Sequence, residues 1–346
     1  MQLSGGAQSS AAGLGWASRS RKRVGGALLK FRMSVSSPPF RSYVLAFTTL
    51  YLVWGSTYLA IRVGVGSMPP FAMAAARFAV AGGVLLVFQL WRGATWPTVR
   101  QWRSAAISGF FLLMGGNGLV TWAEQTVPSG ITALLIGAGP VFVVLAEWAW
   151  PGGKRPDVLT LGAMVVGFAG VAWLAAPWER TGTGALDPTG VAAIVLASVS
   201  WAIGAIYGRH VRDPAPPFVA AGAQMLGGSV ALALAAWVNG DYAAWNTAEI
   251  TPHAWGAFAH LVLFGSLMGY SAFAWLMKYS TPAKTATFAY VNPVVAVLLG
   301  WLLLDEPLGP RTALAGAVIL GAVLVITLRG GASKSGSAGQ VRGPSR

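Results

Sequence analysis

The chain has no cysteine, which excludes disulfides and thiolate metal sites. Its three histidines, His210, His253 and His260, are too scattered to form a sequence-local metal motif. No G-x-x-x-x-G-K-[ST] segment is present, so no phosphate-cradling loop for direct use of ATP is read. Charge is scarce as well. Asp, Glu, Lys and Arg make up 10% of the 346 residues, against about 25% in a soluble domain. A soluble chain with so little charge could not cover its own surface. No compact apolar segment with a small-residue cleavage site precedes Thr48, so no secretory signal is read. No cofactor and no metal are expected.

What is abundant is apolar. Hydrophobic residues make up 55% of the chain and the mean hydropathy is +0.60. Apolar runs recur at around 20 residues, the length needed to cross about 30 Å of hydrocarbon. The 45 glycines suit the close helix approach that drives association in lipid. The chain reads as an all-α integral membrane protein with the lipid bilayer as its partner. Residues 1–42 form a Gly/Ser/Ala-rich basic segment with Arg19, Arg21, Lys22 and Arg23, read as disordered and cytoplasmic. Met33 offers an alternative translation start within it.

Ten transmembrane helices are expected, at about 44–62, 70–90, 104–122, 129–149, 158–176, 190–208, 217–238, 254–277, 285–304 and 312–328. The distribution of basic residues sets their orientation. With the N-terminus inside, the outer segments hold only Arg62, Arg180 and Arg311, and Arg77 falls within a span. Every other Lys and Arg lies on the inner side, as the positive-inside rule requires. Both termini are therefore expected in the cytoplasm. This skew also explains the net charge of +14 without nucleic acid.

The chain repeats itself. Trp54 to Arg77 returns, 147 residues on, as Trp201 to Gln224, with Trp54, Arg62, Pro69-Pro70-Phe71, Ala74 and Ala76 all matched. At an offset of 153, Gly116, Trp122, Thr132-Ala133 and Pro140 meet Gly269, Trp275, Thr285-Ala286 and Pro293. Each unit spans five helices, an odd number, so the second enters from the opposite face as an inverted-topology repeat. Such repeats frame a substrate site near the midplane of transporters.

Several residues are candidates for that site. Arg77 lies about seven residues inside its span, where a charge costs roughly 2.5–3.5 kcal/mol. It either faces a cavity or partner, or snorkels to the outer interface. Its counterpart is the neutral Gln224. Trp54, Ser56, Thr57 and Tyr58 could line a polar cavity, and Trp201 and Tyr207 offer similar chemistry from the second unit. Asn117 lies in a glycine-rich part of the third span, and Tyr290 and Asn292 precede Pro293. Pro140 and Pro293 are expected to kink their helices. Glu147 and His260 are candidates for proton coupling, against the plainer readings of Glu147 paired with Lys154 or Arg155 and of His260 bonded within helix packing. Glu124 is read as interfacial.

The segments Trp54-Gly55-Ser56-Thr57-Tyr58, Ala76-Arg77-Phe78, Gly116-Asn117-Gly118, Val127-Pro128-Ser129-Gly130, Tyr290-Val291-Asn292-Pro293 and Asp305-Glu306-Pro307 resemble the drug/metabolite transporter superfamily, in its EamA family. The resemblance covers about residues 43–328. It implies two EamA repeats, 43–177 and 190–329, joined by a periplasmic linker at 178–189 and followed by a cytoplasmic tail at 330–346. It implies a central cavity lined by the first four helices of each repeat, with the fifth and tenth packed outside. It carries over Trp54, Thr57, Tyr58, Arg77, Asn117, Tyr290 and Asn292 as cavity or gate residues, to which pseudo-symmetry adds Trp201 and Gln224. Glu306 matches an acidic residue of the family pattern, but its counterpart in the first unit is Gly153.

The expected function is a secondary transporter in the cell inner membrane that exports small metabolites, amino acids or drug-like compounds by alternating access. An uptake permease or exchanger of the same fold is the alternative. A membrane enzyme acting on lipid-linked substrates is more remote, because no histidine lies near the adjacent acidic pair Asp305-Glu306. Gly162, Gly167, Gly316 and Gly321 could serve either a homodimer contact or internal packing.

Overall fold

A computed structural model describes residues 38–153, 155–175, 186–280, 282–285 and 287–338. Residues 1–37, most of the 178–189 linker and the end of the tail lie outside the described residues, as do Lys154 and Arg180. From Phe40 onward the helices form one unit. They are α1 Phe40–Val65, α2 Pro70–Trp91, α3 Val99–Ala123, α4 Ser129–Ala149, α5 Val158–Ala175, α6 Pro188–Arg209 and α7 Pro217–Asn239. There follow α8, built from Pro252–His260, Leu261–Met268 and Gly269–Tyr279, then α9 Phe288–Leu304 and α10 Pro310–Ala338. Among the described residues nine helical stretches are long and apolar enough to cross a membrane; α9, at 17 residues, is apolar but shorter.

Local chemistry sets the boundaries. Proline opens α2, α6, α7, α8 and α10, where its missing N–H costs nothing. Thr98 and Gln101 close a capping box on α3. Asp187 caps α6, its carboxylate accepting from the Thr189 and Gly190 amides and from the Thr126 hydroxyl. Those bonds hold the exposed Asp187 carboxyl below the usual range. Gly240 stops α7 at φ 79°. Hydroxyl and carboxylate contacts join the helix ends. At one end Arg62 donates to the Glu124 carbonyl, Asp241 accepts from the Ala72 amide at 2.9 Å, and the Thr251 amide donates to Ser67 at 3.2 Å. At the other end Tyr43 donates to the Tyr279 carbonyl at 2.9 Å and Trp150 stacks on His210.

Asp305, the only non-glycine described residue with positive φ, ends α9 in the left-handed region at φ 51°. This turn aims Glu306 at the start of α4. Its carboxylate accepts from the Ser129 amide at 2.7 Å, the Ser129 hydroxyl at 2.9 Å and the Gly130 amide at 2.9 Å. The acidic residue that the second unit keeps thus caps a helix of the first. Glu306→Ala is expected to destabilise the detergent-solubilised protein by about 2 kcal/mol, since bonds to a charged group contribute roughly 1.5–3 kcal/mol. Thermal unfolding measures this, and Glu306→Gln, which keeps an acceptor, is expected to lose less.

The fourth span is broken at Ala138, between Ser129–Gly137 and Gly139–Ala149, with Pro140 in the first turn of the second piece. Pro293 lies inside a continuous α9. Its ring packs on Gly137, where a Cβ would lie 3.1 Å from Cγ. α5 packs on α10, and Arg311 donates to the Trp173 and Leu174 carbonyls. Gly167 and Gly316 pack internally, against Val141 and Ala322 and against Leu134, whereas Gly162 and Gly321 face open space. Large apolar side chains such as Val84, Phe88, Leu234, Trp237, Leu298 and Leu302 are exposed, as a surface bathed in lipid requires.

Candidate functional site

The interior of this apolar bundle holds a polar constellation around Arg77. Snorkelling is not what the structure holds. The Arg77 side chain is 3% exposed and lies between α2, α3 and α8. Its Nε donates to the Ser266 hydroxyl at 2.9 Å and its Nη1 to Asn117 Oδ1 at 3.3 Å. The guanidinium carbon lies 4.6 Å from the centre of the Phe78 ring, a cation–π contact. Gly265 leaves room for the head group, since a Cβ there would stand 3.1 Å from Nη2. No carboxylate of the described residues makes an ion pair with Arg77. The neighbouring Tyr270 hydroxyl is buried without a hydrogen-bond partner among the described residues.

The backbone that presents these partners is unusual. α3 runs as a π-helix over Phe110–Gly118 and α8 does so over Leu261–Met268. Asn117 belongs to the first π segment, Gly265 and Ser266 to the second. Shifted by 153 residues, the first becomes 263–271 and overlaps the second, so both units distort at equivalent places. Long π stretches are rare and concentrate at functional sites, because the wider turn releases local helix bonds and re-aims side chains. The sequence signals only the first of them, through Gly115-Gly116-Asn117-Gly118. Ser266, between Gly265 and Leu267 in an apolar run, escapes sequence reasoning altogether.

The other candidates sit around this centre to different degrees. Trp54 does not line an open space. It is buried, donates Nε1 to the Gly265 carbonyl at 3.1 Å, and packs 5.2–5.4 Å from the rings of Phe288, Phe273 and Tyr270. It thereby fixes the π segment that carries Ser266. Thr57 bonds back to the Trp54 carbonyl, and its methyl faces Gly265 beside Arg77. Ser56 meets His260 Nε2 at 2.9 Å. Trp201 packs on Gly116 of the first π segment. The Gln224 carbonyl abuts Gly109. Asn292, with its amide oriented to suit its surroundings, donates to the Phe288 and Tyr51 carbonyls, both at 3.2 Å, and not to Ala289 four residues before Pro293. Tyr290 reaches away, to the Val323 carbonyl of α10. Tyr58 is half-buried, towards the end that carries Glu124.

Two acidic residues depart from expectation. Glu147 pairs with Arg209 at 3.8 Å and not with Arg155, while Lys154 lies outside the described residues; Glu147 is 49% exposed. Exposed pairs contribute about 0–1 kcal/mol, so Glu147→Ala is expected to leave thermal stability nearly unchanged. Glu124, read as interfacial, is fully buried just beyond Ala123, the last residue of its membrane-crossing stretch. Neither of its carboxyl oxygens has a hydrogen-bond partner among the described residues. Burial pushes the Glu124 carboxyl well above the usual carboxylate range; the Glu306 carboxylate adds to the rise and Arg62 opposes it.

A lipid-facing helical bundle built from two related units around a buried polar centre is the architecture of a membrane transporter. The model of the EamA-like transporter family matches residues 41–176 and again 188–328, and the chain belongs to that family. Its members are transporters, not enzymes, and this chain is a multi-pass membrane protein of that type. It is 39% identical over 284 residues to the uncharacterized inner membrane transporter YedA of Escherichia coli K12, covering 82% of this chain and 90% of the relative. It is 24% identical over 299 residues to the uncharacterized transporter YvbV of Bacillus subtilis, covering 86% and 94%. A solved crystal structure with 22% identity superposes with a TM-score of 0.58 over 84% of this chain and 98% of that one, a likeness of fold.

Proposed function

We propose that the chain is a secondary transporter of ten spans in two inverted repeats, working by alternating access, whose solute carries an anionic group held by Arg77. The observation that carries this reading is the buried guanidinium. It is bonded only to neutral groups, Asn117 of one unit and Ser266 of the other. A cation without a counter-ion in lipid is costly to keep. A solute carboxylate offsets that cost: two unit charges 4 Å apart attract by roughly 4 kcal/mol at an effective dielectric of 20. The guanidinium fork suits the two oxygens of a carboxylate. The aromatic wall of Phe78, Tyr270 and Trp54 suits an apolar body. Because Asn117 and Ser266 come from different units, moving one unit against the other changes the number of bonds to Arg77, and solute binding biases that equilibrium.

Small metabolites, amino acids and drug-like carboxylates fit this chemistry. Outward movement across the inner membrane is the proposed direction, on the family resemblance, and the loop charges support cytoplasmic termini. The test compares cells that overproduce the protein with cells that lack it. Overproduction is expected to enrich the medium in particular carboxylate-bearing solutes and to raise resistance to toxic amino acid analogues. Enrichment inside the cells would reverse the direction. Enrichment only of cationic or neutral solutes would refute the role given to Arg77.

A further inference from the structure

Glu124 has no part in the Arg77 site, yet it is the most isolated acid among the described residues. Its side chain is completely buried at the helix-end cluster that includes Arg62 and Glu306. Both of its oxygens lack hydrogen-bond donors among the described residues. The nearby cation Arg62 donates to the Glu124 backbone carbonyl and makes no ion pair with its carboxylate. From α1, Tyr58 and Arg62 face it. From the turn after α9 comes Glu306, whose two oxygens are committed to the start of α4. At the head of α6, Asp187 binds Thr126, two residues further along the chain. A carboxylate so placed is disfavoured, whereas a neutral acid needs only modest solvation. The residue that follows, Gln125, lines a recess of about 330 Å³ together with Ser67, Asn239 and Asp241, so water has access one residue away.

We propose that Glu124 is a protonation switch: as a neutral acid it closes this end of the bundle, and loss of its proton to water on this side opens it. In the closed arrangement of these helix ends Glu124 holds its proton. When the Arg62 and Glu306 contacts part and water enters, the carboxyl O–H bond breaks. The proton passes to a water molecule, and the electron pair stays on the carboxylate, which Arg62 is placed to face. Reprotonation from water reverses the step and lets the end close again. Each opening and closing therefore exchanges one proton between Glu124 and water on the same side, so the switch senses the pH of that side and carries no net proton across. Glu147, half-exposed and paired with Arg209 at the opposite end, has no such constraint.

The effect on solute flux rests on the proposed transport function; the proton site does not. The two are tested separately. In purified full-length protein, infrared difference spectra across a pH titration are expected to show a neutral carboxylic acid carbonyl that disappears as pH rises. That band is absent in Glu124→Gln and present in Glu306→Gln. The sign of the stability effect agrees. Because the folded-state value is raised, neutral Glu124 stabilises the fold fully below the unfolded value of about 4.3, and that contribution is lost as pH rises towards the folded one. The melting temperature of the wild type should fall over that window more steeply than that of Glu124→Gln, whose amide mimics the neutral acid. A band that survives in Glu124→Gln, or identical pH slopes, overturns the proton site.

In proteoliposomes, the rate at which the wild type exchanges labelled leucine for leucine is expected to fall severalfold as the pH of the solution facing this end is lowered. Glu124→Gln, fixed in the neutral form, should exchange slowly at a rate that ignores that pH. Equal pH dependence of exchange in wild type and Glu124→Gln overturns the switch. A wild type that exchanges no member of a panel of amino acids and other small carboxylates at any pH refutes the solute reading, while the infrared spectra alone decide the proton site.

Discussion

Arg77→Gln is expected to abolish solute flux, on the order of a hundredfold or more, while the protein inserts and folds. The size follows from what the side chain supplies. Truncating one partner of a buried, hydrogen-bonded charge pair typically costs about 2–5 kcal/mol, and about 1.4 kcal/mol is a factor of ten. Insertion is not expected to suffer, because the variant removes a charge from the membrane interior. Glutamine is also the residue that the second unit places at the matching position, Gln224. It can still bond Asn117 or Ser266 as a neutral group. Arg77→Lys separates charge from geometry: it keeps the cation but loses the planar fork, and it is expected to retain partial flux with weakened apparent affinity. Flux in proteoliposomes, normalised to correctly inserted protein, decides the matter. Equal flux in wild type and Arg77→Gln would remove Arg77 from the transport pathway.

Gly109→Ala is expected to have the largest effect on folding. Gly109 precedes the first π segment and faces α7. A Cβ there would stand 2.3 Å from the Gln224 carbonyl oxygen and 2.7 Å from the Gly228 amide nitrogen. Both are backbone atoms inside a helix, so neither can rotate away as a flexible side chain would. Overpacking in cores costs typically about 1–3 kcal/mol, occasionally more, and a clash between two backbones belongs at the upper end. The yield of monodisperse protein after detergent extraction is expected to collapse for Gly109→Ala. As a control, alanine at Gly83, where a Cβ meets nothing within 4 Å, should be tolerated. Normal yield and melting of Gly109→Ala would show that α3 and α7 are not held at this distance.

The large features were readable because lipid is a strict solvent. It demands apolar runs of one length, and the loop charges and paired motifs follow the same frame; helix boundaries fall within a few residues of the periodic pattern, as in α2 and α7. Arg77 was legible for the same reason, as a charge where none is free of cost. Its partner Ser266 was not, since a serine in an apolar helix commonly bonds its own backbone, and only the π turn of α8 aims it at Arg77. The burial of Glu124 was not legible either, because its depth along α3 points to the interface. That burial is decided by what packs over it, Arg62 from α1 and the left-handed turn at Asp305. Glu147 found Arg209, 62 residues on, and not Arg155, eight residues on. Glu306 was visible as an asymmetry between the units, and its capping of α4 gives that asymmetry a structural reason.

Counterflow in proteoliposomes, with labelled leucine inside and a choice of competitors outside, tests the role of Arg77 most directly. A carboxylate held by the guanidinium predicts that unlabelled leucine speeds the exit of label and that leucinol, which keeps the amine but has no carboxylate, does not; with Arg77→Gln neither has an effect. Leucinol acting as well as leucine, or an Arg77→Gln variant exchanging leucine at the wild-type rate, would contradict it.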